Sequence, residues 1–188
     1  MKNISTIVML FLFGSCYFKN KEPVVPAVYA DAGKEKFMVK NGVTSLNKLP
    51  FSGWQFNLYA NGDTASLIPF LEGKESGIAM EWYAGKQPKE IRFYKKGKRT
   101  GEHTGWYENG QLKFIHHYEN DLFEGTYQEW YADGKPYKQL YYKAGHEAGL
   151  QKIWRPDGQL HANYEVRNGR NYGLTGTIHC KNIWKDGM

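Results

Sequence analysis

Reactive and ligating side chains fall in five places along the 188 residues. His116-His117 offers two imidazoles, but neighbours on a strand point to opposite faces and cannot close on one metal ion. His146-Glu147 opens like the paired-histidine motif of a zinc protease, yet Leu150 stands where the second histidine is needed. In the tail, Cys180 lies between His179 and Lys181, where neighbouring cations would favour a reactive thiolate. The other reading of Cys180 is an inert cysteine in a terminal cap. Lys95, Lys96, Lys98 and Arg99 crowd around Gly97. They form either a solvated turn or a contact for anionic lipid or an acidic partner. Cys16 closes an apolar N-terminal run after Gly14-Ser15. No serine elbow or phosphate-binding glycine loop accompanies these groups. The chain therefore reads as a non-enzyme without cofactor or metal.

These side chains hang on a repeated frame. Gly53, Gly77, Gly101, Gly125, Gly149 and Gly173 recur every 24 residues, and Trp82, Trp106, Trp130 and Trp154 keep the same interval. Tyr59, Tyr83, Tyr107 and Tyr131 follow one place later, and a further column reads Phe70, Tyr94, Tyr118, Tyr142 and Val166. Asn61-Gly62, Asn109-Gly110, Asp133-Gly134 and Asp157-Gly158 are hairpin dipeptides, with Gly85-Lys86 as a glycine-first variant. At the opposite end, Gly73, Gly97, Gly145 and Gly169 mark return turns, and Asn120-Asp121 takes the missing step with residues that tolerate the left-handed region. The glycine columns are expected to serve turns. One unit is then a β-hairpin plus the turn to the next. Five copies over residues 51–169 predict an all-β fold: an elongated antiparallel meander of about ten strands, ~45–50 Å long at ordinary strand spacing. Tryptophan and tyrosine, being adjacent, should put an aromatic column on each face of the sheet, buried by stacking of neighbouring repeats.

The flanks are different. Residues 36–50 carry Asn41-Gly42 out of phase and read as an N-terminal half-repeat cap, and residues 170–188 as an atypical C-terminal cap. Residues 16–35, with Lys19, Lys21, Glu22, Pro23 and Pro26, read as a flexible tether. Residues 1–15 have a basic start and an apolar run too short to span a bilayer. With Cys16 they resemble a bacterial lipoprotein signal, although Phe13 stands where leucine is usual. That resemblance implies lipidation at Cys16, an extracytoplasmic place in the cell envelope, and the outer membrane in a Gram-negative cell. Removal of residues 1–15 would leave 24 basic and 19 acidic side chains. A balance so modest and interspersed, in an exported chain, does not point to nucleic acid.

The unit "EGTYQEWYADGKPYKQLYYKAG" and its neighbour "TGEHTGWYENGQLKFIHHYEND" resemble the MORN repeat variant, and also the bacterial YwqK-family antitoxins built from the same unit. Leu58 in the tryptophan column and Arg155 in the tyrosine column depart from the pattern in the end copies. The resemblance implies a binding or scaffolding role without catalysis, with an unidentified protein as partner. An antitoxin neutralising a toxin, or a lipid-associating module using the basic turn, are the alternatives.

Overall fold

The computed structural model describes residues 24–176. The first strands are β1 (Tyr29–Asp31), β2 (Phe37–Lys40), β3 (Val43–Leu46) and β4 (Leu49–Pro50). The repeats begin with β5 (Gly53–Leu58), β6 (Thr64–Leu71), β7 (Lys74–Glu75), β8 (Gly77–Trp82), β9 (Pro88–Lys95) and β10 (Lys98–Arg99). They continue through β11 (Gly101–Trp106), β12 (Leu112–Glu119), β13 (Leu122–Trp130), β14 (Pro136–Lys143) and β15 (His146–Glu147). The series ends in β16 (Gly149–Trp154), β17 (Leu160–Arg167) and β18 (Arg170–Leu174). Strands β1 and β5–β18 form one sheet, which is an antiparallel meander in sequence order except for the parallel contact of β1 with β5. The expected all-β hairpin-repeat architecture is present.

The turns come in two chemistries. At one end, Tyr59 N donates to Asp63 O (2.8 Å) and Gly62 N to Tyr59 O (2.9 Å), closing a three-residue loop. Only Gly62 has positive φ there. The loop is a turn followed by a left-handed glycine, and the asparagine has another task. Its Oδ1 accepts from Asp63 N at 3.0 Å, and Asn109, Asp133 and Asp157 do the same for Gln111, Lys135 and Gln159. Gly85-Lys86, expected as a glycine-first turn, has positive φ at both residues, 87° and 67°. At the other end the two-residue turns hold both residues left-handed, including Lys96, Ala144 and the Asn120-Asp121 pair.

The unbroken glycine column lies outside the turns. After the return turns at Gly73, Gly97, Asn120-Asp121 and Gly145 the new strand pairs for two residues and then bulges, whereas after Gly169 the pairing runs on regularly. Between the pairs Arg99↔Tyr94 and Thr104↔Ile91, four residues on one strand face two on the other. Gly101, at φ 68°, carries the chain through this bulge. The bulge leaves Phe93 short of ladder partners, and His103 folds into the gap. Its Nε2 lies 2.9 Å from Phe93 O and 3.2 Å from Phe93 N. Two repeats on, Gln151 fills the same gap, donating from Nε2 to Tyr141 O (2.9 Å) and Ala148 O (2.8 Å) and accepting from Tyr141 N (3.3 Å). In the first such bulge the facing residue is Pro69, which has no N–H to satisfy, and the plug is the small Ala79.

The flanks depart from expectation. Tyr29–Asp31, expected within a flexible tether, pairs in parallel with β5 and covers its open edge, and Ala30 is buried. Residues 37–50 form a separate three-stranded sheet instead of a half-repeat rung, because Asn47-Lys48 makes a second tight turn. Thr44 N bonds to Gly73 O, and Phe37 and Leu46 pack on the Ala30, Phe51 and Phe70 core. Residues 170–174, expected at the start of an atypical cap, add one further antiparallel strand to β17.

Candidate functional site

Alternation along the strands gives the sheet two faces of different character. One carries Tyr94, His103, Tyr118, Tyr127, Leu140, Tyr142, Gln151 and Tyr164, in close ring contacts and ion pairs. His116 stacks between Phe114 and Tyr127, with centroids 4.4 and 3.9 Å away. Phe114 lies flat over Gly105, where an added Cβ would overlap the ring. Tyr127 donates to Glu129 Oε1 at 2.5 Å, and Lys138 Nζ lies 3.0 Å from Glu129 Oε2. Burial pushes the Glu129 carboxyl upward, but His116, Tyr127 and Lys138 outweigh it and hold its pKa at about 2. Glu81, two repeats before Glu129 in the same column, pairs with Arg92, which also meets Glu90. Apart from His116 Nε2, which is buried 3.4 Å from Glu129 Oε1 without a hydrogen bond, these groups pair with one another, so this face is structural.

The tyrosine column ties successive repeats together. Tyr59, Tyr83, Tyr107 and Tyr131 donate their hydroxyls to the carbonyl oxygens of Trp82, Trp106, Trp130 and Trp154 at 2.7 to 2.9 Å. The expectation that stacking buries these rings is corrected, since all four tryptophans and all four tyrosines are half-buried. A single-layer sheet has no second layer to cover them, and the hydroxyl bond supplies the specific link.

The opposite face bears the tryptophans and a continuous row of side chains paired strand to strand. The row reads Phe56, Leu67, Met80, Ile91, Thr104, Ile115, Gln128, Gln139, Lys152 and Asn163. It is apolar from Phe56 to Ile91 and polar from Gln128 to Asn163, after which Asn163 pairs with the exposed Leu174. Tyr29 stacks on Trp54 beside the apolar end, with centroids 6.4 Å apart. Exposed Tyr29, Leu58 and Ile78 widen the apolar area. Exposed apolar surface of this kind marks interaction sites. The row is visible in the sequence as two columns of the 24-residue period, but the gradient along them emerges only when adjacent columns are read together.

The expected site residues are dispersed. Lys95, Lys96 and Lys98 are exposed at a return turn. Arg99 is engaged: its backbone N donates to Asp121 Oδ1 at 2.9 Å, its Nη2 to Asp121 O at 3.2 Å, and its guanidinium covers Tyr118 at 4.4 Å. The cluster therefore splits into a structural arginine and a lysine rim. His117 and His116 point to opposite faces as expected, and among the described residues no three His, Cys, Asp or Glu side chains converge as a metal site. Cys16 and Cys180 lie outside the described residues.

Two adjacent stretches, residues 99–120 and 123–144, match the family model described as MORN repeat variant. They cover β10–β12 and β13–β14, one 24-residue step apart and in phase with the rest of the sheet. No curated relative matches the chain. The chain thus carries MORN-variant repeats in these two units, within a β-hairpin array that continues in both directions.

Proposed function

We propose that this is a non-catalytic, lipid-anchored repeat protein of the cell envelope that holds a protein partner on the apolar end of its tryptophan face. The observation that carries this reading is the cross-strand row from Phe56 to Ile91, an apolar strip that the same columns abandon by Gln128 and Lys152. Packing of the array does not require apolar residues there, because the later repeats pair the same strands with polar ones. A strip with four successive apolar partners, where the later strands place polar ones, has the character of an interface core. The anchoring part of the reading rests on Gly14-Ser15-Cys16 and the apolar run before it.

The test is capture from envelope extracts by the wild-type chain and by a Met80→Gln/Ile91→Gln variant, which installs the residues found at Gln128 and Gln139. The variant should keep its circular dichroism spectrum and lose the captured partner. Equal capture by both proteins would move the interface elsewhere. A Cys16→Ser variant should leave the membrane fraction, and its full retention there at high salt would contradict lipid anchoring.

A further inference from the structure

The first place in the tryptophan column is taken by Leu58, and the space an indole would occupy there is open. A cavity of about 480 Å3 results, in the size range of small-molecule sites. Phe56, Leu58, Leu67 and Trp82 line it together with Tyr29, Thr64 and the largely exposed Lys86. Most of its lining is hydrocarbon, with one cation.

Two departures from the repeat meet at this cavity. Leu58 replaces the indole of Trp82, Trp106, Trp130 and Trp154. Lys86 replaces the glycine of Gly62, Gly110, Gly134 and Gly158, yet keeps a left-handed φ of 67°, where a side chain is disfavoured. The cation is also loosely held. Asp63 Oδ2 already accepts from Asn61 Nδ2 at 2.9 Å and Gly85 N at 3.3 Å, and its Oδ1 stands 3.7 Å from Lys86 Nζ. The Lys86 side chain is 79% exposed, so its ammonium can turn to an anion at the cavity mouth.

We propose that this groove binds a small amphipathic carboxylate, a hydrocarbon body ending in one carboxylate group. The hydrocarbon rests on Phe56, Leu67 and Trp82, and the carboxylate meets Lys86 Nζ. The site does not require the protein partner proposed above, since its defining residues are Leu58 and Lys86 and not Met80 and Ile91.

The probes are dodecanoate and its neutral counterpart dodecan-1-ol, titrated calorimetrically below their aggregation limits into the full chain and two variants. Leu58→Trp refills the cavity and Lys86→Gly removes the cation. Each restores the residue that most other repeats carry, and unchanged circular dichroism confirms that each variant folds. The wild type should bind one dodecanoate at least tenfold more tightly than the alcohol. Leu58→Trp should weaken both ligands at least tenfold, and Lys86→Gly should bring dodecanoate down to the affinity of the alcohol. Absence of dodecanoate binding, equal affinity of the wild type for both probes, or full binding by Leu58→Trp would each overturn the proposal.

Discussion

Replacing Tyr107 with phenylalanine deletes one hydroxyl and keeps the ring. The lost bond runs to Trp130 O at 2.8 Å, from one repeat to the next. A hydrogen bond of this kind contributes about 1 kcal/mol net. Tyr83 and Tyr131 make the equivalent bonds to Trp106 and Trp154, without shared partners. Separated sites add, so the triple phenylalanine variant should lose about 3 kcal/mol. Measured against a typical total of about 5–15 kcal/mol, that is a large fraction. Each bond joins neighbouring repeats, so the loss falls on inter-repeat coupling and should also broaden the transition. Urea unfolding followed by far-ultraviolet circular dichroism measures both effects. Tyr172→Phe is the control, because that side chain is 54% exposed in the last strand. A triple variant that shifts no more than the control would refute the role assigned to the hydroxyl column.

Burial lowers the pKa of His103 from its usual value of 6.5, helped by Arg92 and Arg99 and opposed by its bond to Phe93. The unfolded chain therefore takes up the proton first, so this contribution to stability is full above about pH 6.5 and falls as the pH drops toward the depressed folded value. His103→Gln, which copies Gln151, should remove that slope. The comparison is between the two proteins, because burial raises Glu75 and gives both a contribution of the opposite sign. Unfolding midpoints whose difference stays constant between pH 7 and 5 would count against the plug. Gly134 has φ 82°, and Gly134→Val should cost ~1–3 kcal/mol in a thermal melt. An unchanged midpoint would argue against the left-handed turn. Charge reversal at Lys96 and Lys98 should move stability by no more than ~0.5 kcal/mol. Adding Arg99→Glu should cost a further increment of up to ~1 kcal/mol through Asp121 and Tyr118, and urea titration separates the two sets.

The period carried most of the fold. Glycines and aromatics 24 residues apart set the hairpins, their number and the two faces, because each must recur wherever the backbone does the same thing. What the period did not reveal was why each residue type recurs. The Gly101 column reads as a turn column until pairing shows that it passes a bulge. His103 and Gln151 share a column exactly two periods apart, and Pro69 faces their smaller counterpart Ala79. That pattern was available in the sequence, but its meaning depends on which backbone groups the bulge orphans. Tyr29–Asp31 carries no repeat signal, and its parallel pairing arises from an open strand edge that sequence spacing does not expose. The basic cluster was legible as charge, whereas the diversion of Arg99 to Asp121 depends on a contact across 22 residues. The apolar gradient from Phe56 to Asn163 was present in the columns, but it takes the strand register to turn two columns into one continuous row.

On the function proposed above, a partner protein sits on the apolar end of the tryptophan face. Site-specific photo-crosslinking in intact cells tests it most directly, with the reactive side chain placed at Met80 or, in the same cross-strand row, at Lys152. A discrete protein adduct at position 80 and none at position 152 is the expected result. An adduct at 152 alone, or equal adducts at both positions, would contradict it.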